Sequence, residues 1–192
     1  MKVVWLTGDY AGKHKERQRQ AKQAGCDLVI EFHFNAANDS RAHGAEVWYR
    51  QYSTPSKVLA ERLLEAIGAC GFARRGVKLA TPQCRAGFIN AYANDILVVL
   101  LEPAFVTNRE DAGKLHNQKV LTQLADRIAN AIQQFARELR YRPIEVIGLS
   151  VGHKYKTSQP NDRGAKCILG DTEADHAEAL ARLVQQRLSA RG

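Results

Sequence analysis

Ile96-Leu97-Val98-Val99-Leu100-Leu101, followed at once by Glu102, is the longest purely aliphatic run in the chain. It falls far short of the about 18 apolar residues that a membrane-spanning helix needs, so it predicts a buried strand. Shorter apolar runs lie at Val3 to Leu6, Leu28 to Phe32, Glu46 to Tyr49 and Val146 to Leu149. Between them, Lys13 to Ala24, Pro55 to Cys70, Asn117 to Leu139 and Thr172 to Ser189 carry apolar residues at three- and four-residue steps, the period of a helix. This alternation predicts an α/β fold, with a twisted, mixed but mostly parallel sheet and helices on both faces. A length of 192 residues suits one compact domain, 1–192. Leu139 to Pro143 reads as a short connection and not as a domain linker.

What ends the strands is as informative as what fills them. His33 follows Leu28 to Phe32, Glu102 follows Ile96 to Leu101, and His153 lies just past Val146 to Leu149, beyond Ser150-Val151-Gly152. In open α/β sheets ligands bind outside the carboxyl ends of the strands, so parallel strands would bring these three groups to one site. Glu173 would join them from the first turn of the last helix, on the face shared with Ala177, Leu180 and Val184. A carboxylate on a buried face needs a partner or a metal. Two histidines and one glutamate form the ligand set of catalytic zinc sites that keep a position open for water. Glu102 is then spare to act as general base, which completes a set of groups able to hydrolyse an amide. Each of the four also has an ordinary role open to it, because histidines at strand ends are often only hydrogen-bonded and glutamate is favoured in a helix's first turn. Glu173 and His176, three residues apart on a helix, could also share a metal. His14, His43 and His116 fall in segments that read as surface.

Composition narrows the partners without choosing one. A formal charge of +8 favours an anionic partner, whether nucleic acid, anionic lipid or a bacterial wall. The densest basic stretch, Lys13 to Lys22, reads as the solvated face of a helix, and no aromatic residues interleave it as a stacking platform would require. Cys26, Cys70, Cys84 and Cys167 are widely spaced with no C-x-x-C pair, so they read as reduced packing residues. The N-terminal stretch Met1 to Asp9 lacks the apolar length and cleavage site of a signal peptide, which predicts synthesis in the cytoplasm without an export address.

His33-Phe34-Asn35-Ala36 followed by Gly44-Ala45-Glu46-Val47-Trp48-Tyr49 resembles the H-x-N-A and G-x-E-x-[YW]-Y segments of type 3 zinc-dependent N-acetylmuramoyl-L-alanine amidases. Arg75-Gly76-Val77-Lys78 is similar to the family's R-G-V-K strand. Leu101-Glu102-Pro103-Ala104-Phe105-Val106-Thr107-Asn108 is similar to its catalytic-glutamate block, with Asp111 and Leu115 in register. Val146 to His153 resembles the strand and G-H-G-G motif of the first ligand histidine, and Asp162-Arg163-Gly164-Ala165 resembles the D-P-G-A that follows it. Lys154 and Tyr155 depart from the glycines of that motif, Pro103-Ala104 from the x-G after the glutamate, and Glu31 from a common serine.

The resemblance implies a phosphorylase/hydrolase-like α/β fold, zinc (Zn2+) held by His153, Glu173 and His33, Glu102 as catalytic base and acid, and peptidoglycan as substrate. Asn35, Glu31 and Asn108 are the expected supporting residues, with Glu31 placed by strand alternation on the face of His33. In the family the segment here spanning Val146 to Glu173 stands at the N-terminal end, so the chain reads as a circular permutant whose Leu188 to Gly192 would run on into Met1 to Thr7. Permutation at a surface turn is tolerated when the original ends lie close together. The resulting expectation is a wall-lysing enzyme of the phage endolysin kind, monomeric, with no obligate nucleic acid and no transmembrane segment, acting on the wall after release. A related zinc carboxypeptidase or metallopeptidase, and a non-catalytic module binding wall polymer or nucleic acid, are the alternatives.

Overall fold

The computed structural model describes residues 1–8 and 15–190. His14, the start of the expected helix Lys13 to Ala24, and Arg191-Gly192 lie outside the described residues. The six strands are β1 (Lys2–Leu6), β2 (Leu28–Phe32), β3 (Ala45–Arg50), β4 (Arg74–Ala80), β5 (Leu97–Glu102) and β6 (Val146–Val151). The helices are α1 (Lys15–Gln23), α2 (Thr54–Gly68), α3 (Arg109–His116), α4 (Gln118–Glu138) and α5 (Glu173–Ser189), with a 3-10 helix over Arg85–Ala91. Among the described residues no helix is long and apolar enough to cross a membrane.

The sheet runs in the order β1-β6-β2-β5-β3-β4. β1, β6, β2 and β5 are mutually parallel, β3 joins β5 antiparallel, and β4 pairs parallel with β3. The aliphatic runs of β2 and β5 are explained by this placement. Both strands lie in the middle of the sheet and are covered on both faces, which removes any pressure for polar alternation. Glu31 is the exception, wholly buried inside β2.

Helices α2, α4 and α5 cover one face. The stripe Leu121, Leu124, Ala125, Ile128, Ala129 and Ile132 of α4 packs there with Leu59 and Leu63 of α2 and Leu180 and Val184 of α5. α1 and the 3-10 helix cover the other face, where Leu6, Ala21, Val29, Ile89, Tyr92, Val98 and Leu100 pack together. Local signals set the helix starts. Asn117 caps α4 by accepting from the backbone N–H of Lys119 and Val120, and Thr172 with Asp175 forms a capping box on α5.

The basic stretch at the start of the chain is not wholly solvated, because Arg17 is buried. Its guanidinium donates to Gly8 O (3.0 Å), Ser150 Oγ (2.7 Å), Val151 O (2.8 Å) and the carbonyl of Lys154. Those acceptors are the segment after β1, the end of β6 and the loop beyond it. A planar fork of donors can satisfy several such groups at once, which is why an arginine occupies this buried position. All four cysteines are free.

Candidate active site

Because β2, β5 and β6 are parallel, their carboxyl ends emerge on one edge of the sheet, and His33, Glu102 and His153 emerge with them. His33 continues the β2 ladder, its N–H bonding Leu101 O at 2.9 Å, while the N–H of Gly152 bonds Phe32 O at 2.8 Å. β3 runs the other way, so its first residues reach the same edge and Glu46 stands directly opposite Glu102. Together with Asn35, Trp48, Phe88, Asp162 and Glu173 these residues line a pocket of about 700 Å³.

One ligand atom from each of His33, His153 and Glu173 falls within 4.8 Å of the other two. Glu173 Oε1 lies 3.2 Å from His33 Nδ1, and Oε2 lies 3.5 Å from His153 Nε2. The backbone N–H groups of Phe34 and Ala165 also donate to this carboxylate, at 3.3 and 3.2 Å. On its far side, His153 has Nδ1 held by Asp162 at 3.0 Å, so the ring presents Nε2 to the pocket. A carboxylate behind an imidazole is the arrangement that fixes ring orientation and tautomer in metal-ligating histidines. His33 Nε2 is shielded from solvent and has no hydrogen-bond partner among the described residues. A buried nitrogen left without a partner beside a second imidazole and a carboxylate is a donor set that suits a metal ion.

The charges agree with this reading. Burial opposes the charged form of His33, but Glu173, Glu31 and Glu102 outweigh it and hold the imidazole above its ordinary range. Burial likewise opposes ionisation of Glu173. The two histidines and the Ala165 N–H overcome it, and the carboxylate stays below its usual range. Glu102 goes the other way. Burial raises it, the Trp48 hydrogen bond and His33 counteract in part, and the negative charges of Glu46 and Glu173 reinforce the rise.

Glu102 Oε2 accepts from Trp48 Nε1 at 2.9 Å and from Asn35 Nδ2 at 3.1 Å. Asn35 Nδ2 also reaches Glu46 Oε2 at 3.3 Å, while Glu46 Oε1 is paired with Arg75 Nε at 2.8 Å. Asn35 therefore ties together two carboxylates that face each other across the β3–β5 ladder. Two glycines make room for the histidines. A Cβ on Gly152 would stand 2.3 Å from His33 Cε1, and one on Gly164 would stand 2.5 Å from Glu173 Oε2. His153 and Tyr155 adopt left-handed conformations, with φ of 55° and 59°, so Tyr155 keeps a backbone shape that favours glycine.

The structure places the remaining expected residues away from the pocket wall. Glu31 accepts a hydrogen bond from Tyr92 Oη beneath His33. Asn108 caps α3 by accepting from the N–H of Glu110 and Asp111, and its Nδ2 holds Ser40 O at 2.7 Å. His176 turns away from Glu173's pocket and faces Asp171. Trp48, Glu46 and Asp162 stood in recognisable motifs, but no role followed from those motifs. The burial of Arg17 and the close approaches at Gly152 and Gly164 could be found only by folding the chain.

A family model described as N-acetylmuramoyl-L-alanine amidase matches residues 3–134. The chain belongs to this family. The N-acetylmuramoyl-L-alanine amidase LytC of Bacillus subtilis (strain 168) is 36% identical over 104 residues, which cover 53% of this chain but 20% of that protein. The N-acetylmuramoyl-L-alanine amidase of Clostridium difficile 630 superposes with a TM-score of 0.57 at 26% identity, over 65% of this chain and 66% of that one. The catalytic domain of CwlV, from Bacillus (Paenibacillus) polymyxa var. colistinus, gives a TM-score of 0.55 at 22% identity, over 63% of this chain and 64% of that one, a likeness of fold. The family match ends before β6, whose following loop holds His153, and before α5, which opens on Glu173.

Proposed function

We propose that the chain is a zinc-dependent peptidoglycan amidase that hydrolyses the amide between the lactyl group of N-acetylmuramic acid and L-alanine. The observation that carries this reading is the convergence of His33, His153 and Glu173 within 4.8 Å, in a pocket that also holds Glu102, in a member of the amidase family. Zinc held by those three residues would bring the pKa of a water toward about 7 and polarise the scissile carbonyl. Asp162 keeps His153 Nε2 turned toward the pocket. Trp48 and Asn35 both occupy Glu102 Oε2, which leaves proton exchange to Oε1. Glu102 takes the proton of the attacking water and delivers it to the departing alanine nitrogen. Phe88, Ala86 and Leu100 supply apolar wall, and exposed Arg85 supplies a cation at the rim for a carboxylate of the stem peptide. Mass spectrometry of digested peptidoglycan tests the reading. New L-alanine amino termini without new reducing sugar ends are expected, with loss of at least about 100-fold in rate for Glu102→Gln while zinc is retained. Release of C-terminal amino acids alone would overturn it in favour of a peptidase.

The family's order of segments is circularly permuted in this chain on the same reading. β6 follows the matched region in sequence yet lies between β1 and β2 in the sheet. α5 packs back beside β1, where Gln185 Oε1 accepts from Trp5 Nε1 at 3.0 Å. A rearranged gene that places the β6–α5 segment ahead of β1 and opens the connection at Leu139 to Pro143 is expected to fold and bind zinc like the parent. An insoluble or zinc-free product would count against the permuted arrangement.

A further inference from the structure

A second group of metal-ligating side chains lies behind the first, on the other side of Phe34, whose ring centroid is 5.8 Å from that of His176. His116 is the last residue of α3, Cys167 and Asp171 bracket the turn before α5, and His176 sits in the first turn of α5. One ligand atom from each of the four lies within 4.8 Å of the other three. The turn is closed by Cys167 N–H to Asp171 O at 2.8 Å and Gly170 N–H to Cys167 O at 3.1 Å, and is docked on the segment after β5 by Ile168 N–H to Val106 O at 3.0 Å. Cys167 and His176 are buried, with 2% and 5% exposure, while His116 borders solvent.

The hydrogen bonds within the group leave lone pairs opposed. His116 Nδ1 lies 2.8 Å from Ala112 O, and a carbonyl only accepts, so Nδ1 carries the hydrogen and the neutral ring has its lone pair on Nε2. That Nε2 faces Asp171 Oδ2 at 3.2 Å. The same oxygen is 3.0 Å from His176 Nε2. While the His116 ring is neutral, its Nε2 and Asp171 Oδ2 are both acceptors, which repel unless a proton or a cation lies between them. The two rings meet edge to face with centroids 5.0 Å apart, so both imidazoles border the same carboxylate oxygen. A divalent cation would take the two Nε2 lone pairs and the carboxylate oxygen together, and the backbone carbonyl behind His116 is a common support for a ligating imidazole.

We propose that His116, Cys167, Asp171 and His176 form a second metal site, structural in role, for a thiophilic divalent cation of the zinc class. Four protein ligands leave no open position, which distinguishes a structural site from a catalytic one. One thiolate and two imidazoles select zinc over magnesium or calcium, and the thiolate with the carboxylate neutralises the ion's charge. Binding forms the bond to Sγ and releases the thiol proton to solvent. The ion would pin the end of α3 and the turn to the first turn of α5, where Glu173 stands three residues before His176.

Sulfur makes this site separable from the His33–His153–Glu173 group, which contains none. The full chain loaded with cobalt(II) is expected to show a sulfur-to-metal charge-transfer band in the near ultraviolet. The band should vanish in Cys167→Ser and persist in His153→Ala. Zinc content should be about two equivalents per chain in the parent and about one in either variant. His116→Ala, at a residue bordering solvent, covers the case in which the buried cysteine variant does not fold, and should weaken the second equivalent at least about 10-fold. A parent that shows no charge-transfer band, or Cys167→Ser and His116→Ala variants that both hold the second zinc equivalent as tightly as the parent, would overturn the proposal. Neither result bears on the amidase reading, which stands or falls on peptidoglycan products.

Discussion

Replacing Gly152 by alanine drives a methyl group into the ring of His33. The new Cβ would stand 2.3 Å from Cε1, 2.4 Å from Nδ1 and 2.6 Å from Nε2. Carbon atoms in contact prefer separations of about 3.5–4.0 Å, so relief requires a movement of about 1 Å. Gly152 is not among the left-handed residues, so its backbone accepts alanine and the conflict is purely steric. The backbone offers little relief. His33 N–H is bonded to Leu101 O and Gly152 N–H to Phe32 O, both inside the sheet, so the ring has to turn. Overpacking of this kind costs about 1–3 kcal/mol of stability. A ligand nitrogen displaced by about 1 Å costs about 100-fold in turnover even when the fold survives. Zinc affinity by competition with a chelating dye, turnover of purified peptidoglycan and a thermal melt together read the three effects. Gly113→Ala is the control, because a Cβ there meets nothing within 4 Å. A Gly152→Ala protein that binds zinc and cleaves wall at the parent's level would refute the assignment of His33 as a ligand held in this position.

Three further predictions rest on other contacts. Trp48→Phe removes a donor that favours the ionised form of Glu102. Its carboxyl should rise further, and because the base works only when ionised, the acid limb of the pH–rate profile should move to higher pH; a limb that stays put or moves down excludes Glu102 as its source. Asp162→Ala frees the His153 ring and should weaken zinc binding by about 10- to 100-fold with little loss of fold, as calorimetric titration and circular dichroism would show. Arg17→Ala leaves a buried set of acceptors unpaired and should cost about 3 kcal/mol, lowering Tm by roughly 6–12 °C. Arg17→Lys should recover little of this, since one ammonium cannot span acceptors on β6, the following loop and Gly8; a lysine variant as stable as the parent would show that charge alone suffices.

Much of the architecture was legible in the order of the residues, because burial leaves a periodic trace. β2 coincides with the apolar run Leu28 to Phe32, and α2, α4 and α5 fall within a residue or two of the expected boundaries. α3 escaped, since its short span is mostly polar and its start is marked only by the Asn108 cap. The stretch Lys13 to Lys22 misled, because a buried arginine is indistinguishable in sequence from a solvated one. His116 and Cys167 misled for the same reason. Each had an ordinary surface or packing role when taken singly, and the turn that brings Cys167 and Asp171 beside His116 is a matter of backbone closure.

The aliphatic run ending on Glu102 shows where the division falls. Sequence by itself determined that the run is a buried strand, that His33 and His153 also follow strands, and that the chain is of the amidase kind, because local periodicity and motif chemistry are properties of neighbouring residues. Tertiary structure alone decided that β6 enters the sheet between β1 and β2, which sets His153 and Glu173 against His33. It also decided which nitrogen each histidine presents, which glycines clear the space, and that Glu102 is shared by Trp48 and Asn35. These depend on contacts between residues far apart in the chain, whose distances are set by strand register and direction and leave no periodic signal in the residues themselves.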